Sequence, residues 1–414
     1  MREEARHSTV LIVGTGASAL LSIAYRCYAG RLLAPDGFSE FGVTIAFILF
    51  CCAAFGPING TVARFTAQFA VRGEYGKILT LSRGITRRVV GIGVVGLLVG
   101  LLLTRPLASA LNLQSPALLP LAYVAILLTL WLSVARGTLR GLQRFDALNW
   151  NAVAEAASRL AIGVVVLSLL LTPAAGISAF VVAVGLALVL ARVQLSGLFR
   201  DHAPCPLDAS AVKRFALPMF AFSLAKGGLE HVDVLTVNRF LPATEAGQFV
   251  AAANLSLIIG VLVTPFATLA LPLITSLEER GRRIMPTFLR ICAYFLVLAA
   301  VPVLACWLKP EWILVTSFGS EYRAAAPWLG PLVLARLATY LSVLICLQFL
   351  ARNDFRFLAV YLLGLALEVG ALFIWHDSAA TMAWVVLASQ TVCLVGMVVS
   401  LVLRQPRLPG LGRT

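Results

Sequence analysis

Nine charged side chains sit inside otherwise apolar runs of this chain: Arg26, Glu155, Arg159, Arg192, Lys226, Glu230, Asp233, Arg336 and Glu368. A charge at the centre of a hydrocarbon layer costs about 2.5–3.5 kcal/mol even on the lenient insertion scale. Each therefore needs a counter-charge, a ligand or water. Lys226, Glu230 and Asp233 fall at i, i+4 and i+7 and share one helical face. Lys226 reads equally as the partner of Glu230 and as a contact for a substrate. Glu155 and Arg159, at i and i+4, read first as a structural ion pair. Arg192 lies within two turns of the end of its run and can snorkel to the surface, an option Arg26 shares at the opposite end of its own run. Arg336 has no acid within one turn of its helix, so an anion brought by a substrate is its expected partner. The acids Glu230, Asp233 and Glu368 would suit a coupling H⁺ or Na⁺.

Other chemistry is thin. None of the four His is paired at metal-ligand spacing, and the eight Cys form no CxxC. There is no Gly-rich phosphate loop. No cofactor, metal or redox site is expected.

The elements that hold these charges follow from composition. Hydrophobic residues make up 60% of the chain and charged ones 13%, against about 25% charged in soluble domains. The apolar runs are about 20 residues long, the length a helix needs to cross a bilayer core of roughly 30 Å. Twelve spans are expected, near 9–29, 40–58, 85–104, 117–136, 152–172, 176–198, 215–238, 247–271, 288–308, 325–349, 356–375 and 380–403. The class is an all-α polytopic membrane protein. Spans 3, 9 and 12 carry no interior charge and should face lipid, while spans 1, 5, 7, 10 and 11 face a shared polar interior.

The net charge of +14 is one-sided. With an even number of spans both termini share a side, and that side holds 23 of the 33 Lys+Arg against five on the other. Positive loops stay cytoplasmic, so both ends should face the cytoplasm of a cell's inner membrane. The basic residues are spread over short loops and not gathered on one soluble face, which excludes nucleic acid as a partner. The first run ends in Arg26-Cys27-Tyr28 without a small-x-small site, so it reads as an anchor and not as a cleaved signal. The loops opposite the termini are short, the longest near 309–324, and leave no room for catalytic acids. A transporter is expected, not an enzyme.

The chain also repeats itself. Residues 31–42 (RLLAPDGFSEFG) parallel 239–250 (RFLPATEAGQFV) at an offset of 208. The same offset pairs Phe41 with Phe249, Pro57 with Pro265, and Arg72-Gly73 with Arg280-Gly281. Two parallel six-helix lobes, 1–200 and 214–414, joined by a cytoplasmic linker at 201–213, would place a substrate site between them near mid-depth. Pro57 and Pro265 would break helices 2 and 8 late, which is tolerated where a helix faces protein or a water-filled cavity.

Ala34-Pro35-Asp36-Gly37-Phe38-Ser39-Glu40-Phe41-Gly42 is similar to a "P-E-x-Y-G" element, Gly137–Phe145 (GTLRGLQRF) to "L-x-G-x-x-R-F", and Phe318-Gly319-Ser320-Glu321-Tyr322 to "F-G-x-x-Y". Leu271-Pro272-Leu273-Ile274-Thr275 has a counterpart as well. These elements, spread over the whole chain, resemble the Wzx-type polysaccharide/O-antigen flippases of the multidrug/oligosaccharidyl-lipid/polysaccharide (MOP) superfamily. Phe41 departs from the Tyr common in that branch. The resemblance implies a MOP/MATE-like fold whose helices 1, 2, 4, 5, 7, 8, 10 and 11 line a central cavity. It implies alternating-access translocation of a lipid-linked oligosaccharide for surface polysaccharide (lipopolysaccharide, O-antigen or exopolysaccharide), by a monomer working with glycan polymerase partners in the phospholipid bilayer. Arg336, Lys226 and Arg26 would then hold the diphosphate of the cargo, since arginine matches phosphate oxygens with two prongs. The drug-exporting, H⁺- or Na⁺-coupled branch is the alternative. Five intramembrane bases against four acids leave both open on electrostatics alone.

Overall fold

The structure, a computed structural model, describes residues 2–197, 203, 205, 206, 210–279, 284–351 and 354–403. Most of the expected linker, Arg200, the Arg280-Gly281 end of the repeat, Arg282, Arg283, Arg352 and the last basic residues (Arg404, Arg407, Arg413) lie outside the described residues. Among the described residues every regular element is a helix. The first half of the chain builds α1 (Arg2–Ala54), α2 (Pro57–Val71), α3 (Tyr75–Leu102), α4 (Thr104–Ala110), α5 (Leu118–Gly141), α6 (Phe145–Leu170) and α7 (Pro173–Gln194). The second builds α8 (Ser210–Phe240), α9 (Ala243–Ser256), α10 (Ile258–Glu279), α11 (Met285–Leu308), α12 (Pro310–Phe318), a 3₁₀ turn (Ser320–Ala325), α13 (Ala326–Ala351), α14 (Phe357–Ile374) and α15 (Ala379–Leu403).

Ten helical stretches are long and apolar enough to cross a membrane, where twelve are expected. Two local causes account for the difference. The first two expected spans run together as Gly14–Val71, because the chain turns between them at a single residue, Ala34 (φ 52°, ψ 173°), followed by Pro35. The second cause is α8, whose 31 residues are made too polar to count by Lys226, Glu230 and Asp233.

The helices pack through small residues. Ala175, Ala179, Ala183, Ala187 and Ala191 are all buried, and their i+4 spacing lays one smooth seam along α7, which packs on α5 and α6. Tyr25 of α1 donates to the Gly176 carbonyl at 2.6 Å and fills the space over Gly163, fixing α1 against α6 and α7. Exposure sorts the helices only in part as their charges suggest, since α6, which carries Glu155 and Arg159, has 22% of its most apolar stretch buried against 28% for the charge-free α15. Only 6% of the most apolar window of α3 is buried, and 17% of that of α11, against 83% for α13. The last span is different: α15 turns Ser389 and Gln390 inward, an uncharged polar face that a reading by charge alone does not see.

The repeat offset has a spatial counterpart. Asp36 Oδ1 lies 2.5 Å from Thr244 Oγ1, and a Cβ on Gly42 would collide with Val250. Both pairs are separated by 208 residues, and residues that touch their own equivalents are those lying on a twofold axis. Ala34, at the kink, likewise corresponds to Pro242, which opens α9. The two prolines differ. Pro57 begins α2 just after the break at Phe55–Gly56, but Pro265 lies within α10, and the second half breaks earlier, at Leu257 between α9 and α10.

Candidate functional site

Arg336 does not wait for an anion from outside. Its guanidinium donates to Asp233 Oδ2 at 2.5 Å and to the Leu229 carbonyl at 2.6 Å, and the side chain is 1% exposed. No acid stands within one turn of Arg336 on its own helix, and the partner comes from α8 instead. Gln390 extends this core. It donates to the same Leu229 carbonyl at 2.7 Å and to both Glu368 oxygens at 3.2–3.3 Å, and Thr339 donates to its Oε1. Glu368 is fully buried. The three expected α8 charges therefore separate in role: Asp233 turns to Arg336, and Glu230 accepts from Lys226 at 2.6 Å.

This pairing has a measurable cost. Asp233→Asn leaves a buried cation without its counter-charge, a loss of about 3–5 kcal/mol. Asp233→Leu combined with Arg336→Met removes both charges and should recover most of that loss. Thermal unfolding of the detergent-purified protein compares them. A single variant as stable as the double would show that Asp233 does not neutralise Arg336.

Glu155 and Arg159 sit in the first half as an ion pair, with a third member. Glu155 accepts from Arg136 of α5 at 2.7 Å as well as from Arg159, and Arg159 lies 4.2 Å over the Phe180 ring. Arg136 also donates to Asn151 Oδ1 at 2.8 Å. This network ties α5, α6 and α7 together. Arg192 stacks 4.2 Å over Trp131 at the exposed flank of α7, consistent with snorkelling.

Between the halves lies a cleft of about 360 Å³. Helix α1 presents Thr15, Ser18, Ser22 and Arg26 to it, α8 presents Glu230 and His231, α9 Asn254, α10 Gly260 and Thr264, and α13 Tyr340. Gly260 is required there, because a Cβ would occupy the position of the Tyr340 hydroxyl. Arg26 donates to Asn254 Oδ1 at 2.7 Å across the two halves. Among the described residues it forms no ion pair, so it is the cleft's uncompensated cation. A crevice of about 10 Å³ shares Arg26, Glu230, His231 and Asn254 with the cleft and reaches Arg336. Lys226, about one-third exposed and paired, stands 5.8 Å over the Tyr340 ring.

His231, Asn254, Tyr340, Gln390 and Arg136 escaped the sequence reading. A signal existed for one wall: Thr15, Ser18, Ser22 and Arg26 recur at steps of three and four within an apolar run, a polar stripe on one helical face. The residues of the other wall are one or two polar side chains from each of four helices, and only the fold brings them together.

Past Arg26 the two halves are stitched together. Arg31 donates to the carbonyls of Thr316 and Ser317, and Arg239, its equivalent in the repeat, donates to the Ser109 carbonyl at 3.0 Å. Tyr322 reaches back to the Gly30 carbonyl at 2.8 Å, and Asn238 to the Leu111 carbonyl at 2.6 Å. Phe38 stacks on Phe41, lies tilted against Phe318 and meets Tyr322 edge-on, ring centroids 5.3–5.9 Å apart. Gly247 lies so close to the Pro35 carbonyl that no side chain fits between them. The cleft runs from Arg26 towards Thr15, away from this seal.

The chain folds like known transporters. It superposes with a TM-score of 0.79 on an inward-facing multidrug resistance MATE family transporter of the MOP superfamily, at 12% identity, covering 96% of this chain and 98% of that one. The outward-facing conformation of a multidrug resistance MATE family transporter of that superfamily gives 0.65 at 12% identity, with 97% and 94% covered. A MOP superfamily transporter from Pyrococcus furiosus gives 0.61 at 15% identity, again over nearly the whole of both chains (97% and 94%). No curated protein matches the sequence. A family model described as "polysaccharide biosynthesis protein" matches residues 5–278. A kinked, all-helical chain with a polar cleft between repeats thus has the fold of a membrane transporter and not of an enzyme, and by this match it belongs to the polysaccharide biosynthesis protein family.

Proposed function

We propose that this protein is a flippase that moves a lipid-diphosphate-linked oligosaccharide across the inner membrane, both termini being cytoplasmic, for surface polysaccharide assembly. The observation that carries the reading is Arg26: an arginine that forms no ion pair among the described residues, at the closed end of a cleft lined by the hydroxyls of Thr15, Ser18, Ser22, Thr264 and Tyr340 and the Asn254 amide, with Glu230 and His231 beside them. A guanidinium suits a phosphate, and the hydroxyls and amides suit sugar. Polarity of the binding pocket is also what suggested a different function for the P. furiosus transporter. The diphosphate would sit at Arg26 with Lys226 behind it, while the lipid tail stays in the bilayer. Arg336 supports this site through α8 and is not itself the ligand. Transport would proceed by rocking the halves, with the seal beyond Arg26 as the outer gate. Of the three central acids, Glu368 is the one without a cation bonded to it among the described residues, and a coupling H⁺ or Na⁺ would act there. The transporter would work as a monomer and pass its cargo to a glycan polymerase.

The test is complementation of a strain lacking this gene. The expected result is restored display of surface glycan and no gain in efflux of a cationic dye. Dye efflux without any effect on glycan display would make the protein a drug exporter of the same fold.

A further inference from the structure

We infer that the first half of the chain carries a second binding site, separate from the cleft, for the head group of an anionic phospholipid. Helices α3 and α7 both pack on α5. At the end where α3 begins and α5 and α7 finish, they leave a groove of about 660 Å³ floored by Trp131 and Ala135. It shares no lining residue with the cleft between the halves.

The lining is sorted by polarity in the way an amphiphile requires. Arg83 and Arg87 come from one face of α3 and Arg192 from α7, with the Thr86 and Ser196 hydroxyls beside them and no carboxylate in the lining. One turn further towards the centre of the span, Val90 follows Arg87 and Leu188 precedes Arg192. The cations therefore stand where head groups lie, and apolar walls begin where acyl chains begin. Depth agrees. Arg87 is about 18 Å along α3 from its start at the helical rise, with Arg88 alone between it and the apolar run of residues 89–103. Trp131 lies beneath the Arg192 guanidinium at 4.2 Å, a cation–π contact that holds the charge over the floor of the groove. Among the described residues neither Arg87 nor Arg192 forms an ion pair. Basic pockets between membrane helices recognise anionic head groups by this arrangement of charge. The ligand class is a phosphodiester with two acyl chains and net negative charge, phosphatidylglycerol being the simplest. Such a lipid would brace the second, lightly packed part of α3 against α5 and α7. The inference does not depend on what the central cleft carries.

Native mass spectrometry of the detergent-purified full chain tests it, with phosphatidylglycerol, phosphatidylcholine and inorganic phosphate as probes. Wild type should retain phosphatidylglycerol, and Arg87→Gln with Arg192→Gln should weaken its binding about 30-fold. Removing two positive charges elsewhere, by Arg290→Gln with Arg356→Gln, should leave it unchanged. Should the arginine variant not fold, Thr86→Glu keeps every arginine, puts a carboxylate among them and should produce a similar loss. Equal retention by the groove variants would overturn the inference. Equal loss in the control would also overturn it, since that result means attraction to the charged surface as a whole. So would equal binding of phosphatidylcholine, or displacement by inorganic phosphate at lipid-like concentrations, which would mean a site for a free anion.

Discussion

Arg26→Ala is expected to cut glycan export about 10- to 150-fold at matched membrane expression, the equivalent of one charged hydrogen bond worth about 1.5–3 kcal/mol. The size follows from its setting. Among the described residues Arg26 donates to the neutral Asn254 amide oxygen and forms no ion pair, which leaves its charge to a ligand in the cleft. Removing it strands no internal carboxylate, and the protein should fold and insert as wild type does. Arg26→Lys keeps the charge, loses the two-pronged contact and should recover only part of the transport. Arg336→Ala should also abolish export, for a different reason: it strands Asp233 in the core and should lower the melting temperature together with activity. Export and melting measured on the same preparations separate the two. A strongly destabilised Arg26→Ala, or one with full export, would remove Arg26 from the substrate site.

The contrast between these arginines shows what the sequence made legible. Spans, repeat and fold class come from features written along the chain: run length, a basic excess on one side, and an offset of 208 that reappears as the Asp36–Thr244 contact. Pairs at i, i+4 were also readable, since Lys226–Glu230 and Glu155–Arg159 are fixed by helix geometry alone. What could not be read was a partner on another helix. Asp233 and Arg336 are 103 residues apart, and nothing local reports that α8 and α13 bring them together. For that reason Arg336 reads along the chain as a free cation although Asp233 is bonded to it. Arg26 shows the complementary limit: its position near a span end offers an escape to the surface, whereas its guanidinium turns to Asn254 in the cleft.

Locking that seal should stop transport while leaving the cleft intact. Asp36→Cys with Thr244→Cys, in a background with the exposed Cys205 replaced by serine, places two thiols where oxygens now stand 2.5 Å apart. That spacing is within reach of a disulfide or a one-carbon thiol linker after small adjustment. The other native cysteines are buried or half-buried, which limits competing bridges. Because the two positions are equivalents in the repeat, the link crosses the local axis at the point where the halves must separate for the cleft to open on this side. Oxidation is therefore expected to reduce export to the level of a strain without the transporter, and reductant to restore most of it. Each single cysteine variant should keep near-wild-type export, since the hydrogen bond it loses is exposed and contributes about 0.5–1.5 kcal/mol at most. Complete cross-linking, verified by mass, with export undiminished would show that the route does not pass between residues 36 and 244. The rocking of the halves about the Asp36–Thr244 contact would then have to be abandoned, along with the seal as the outer gate.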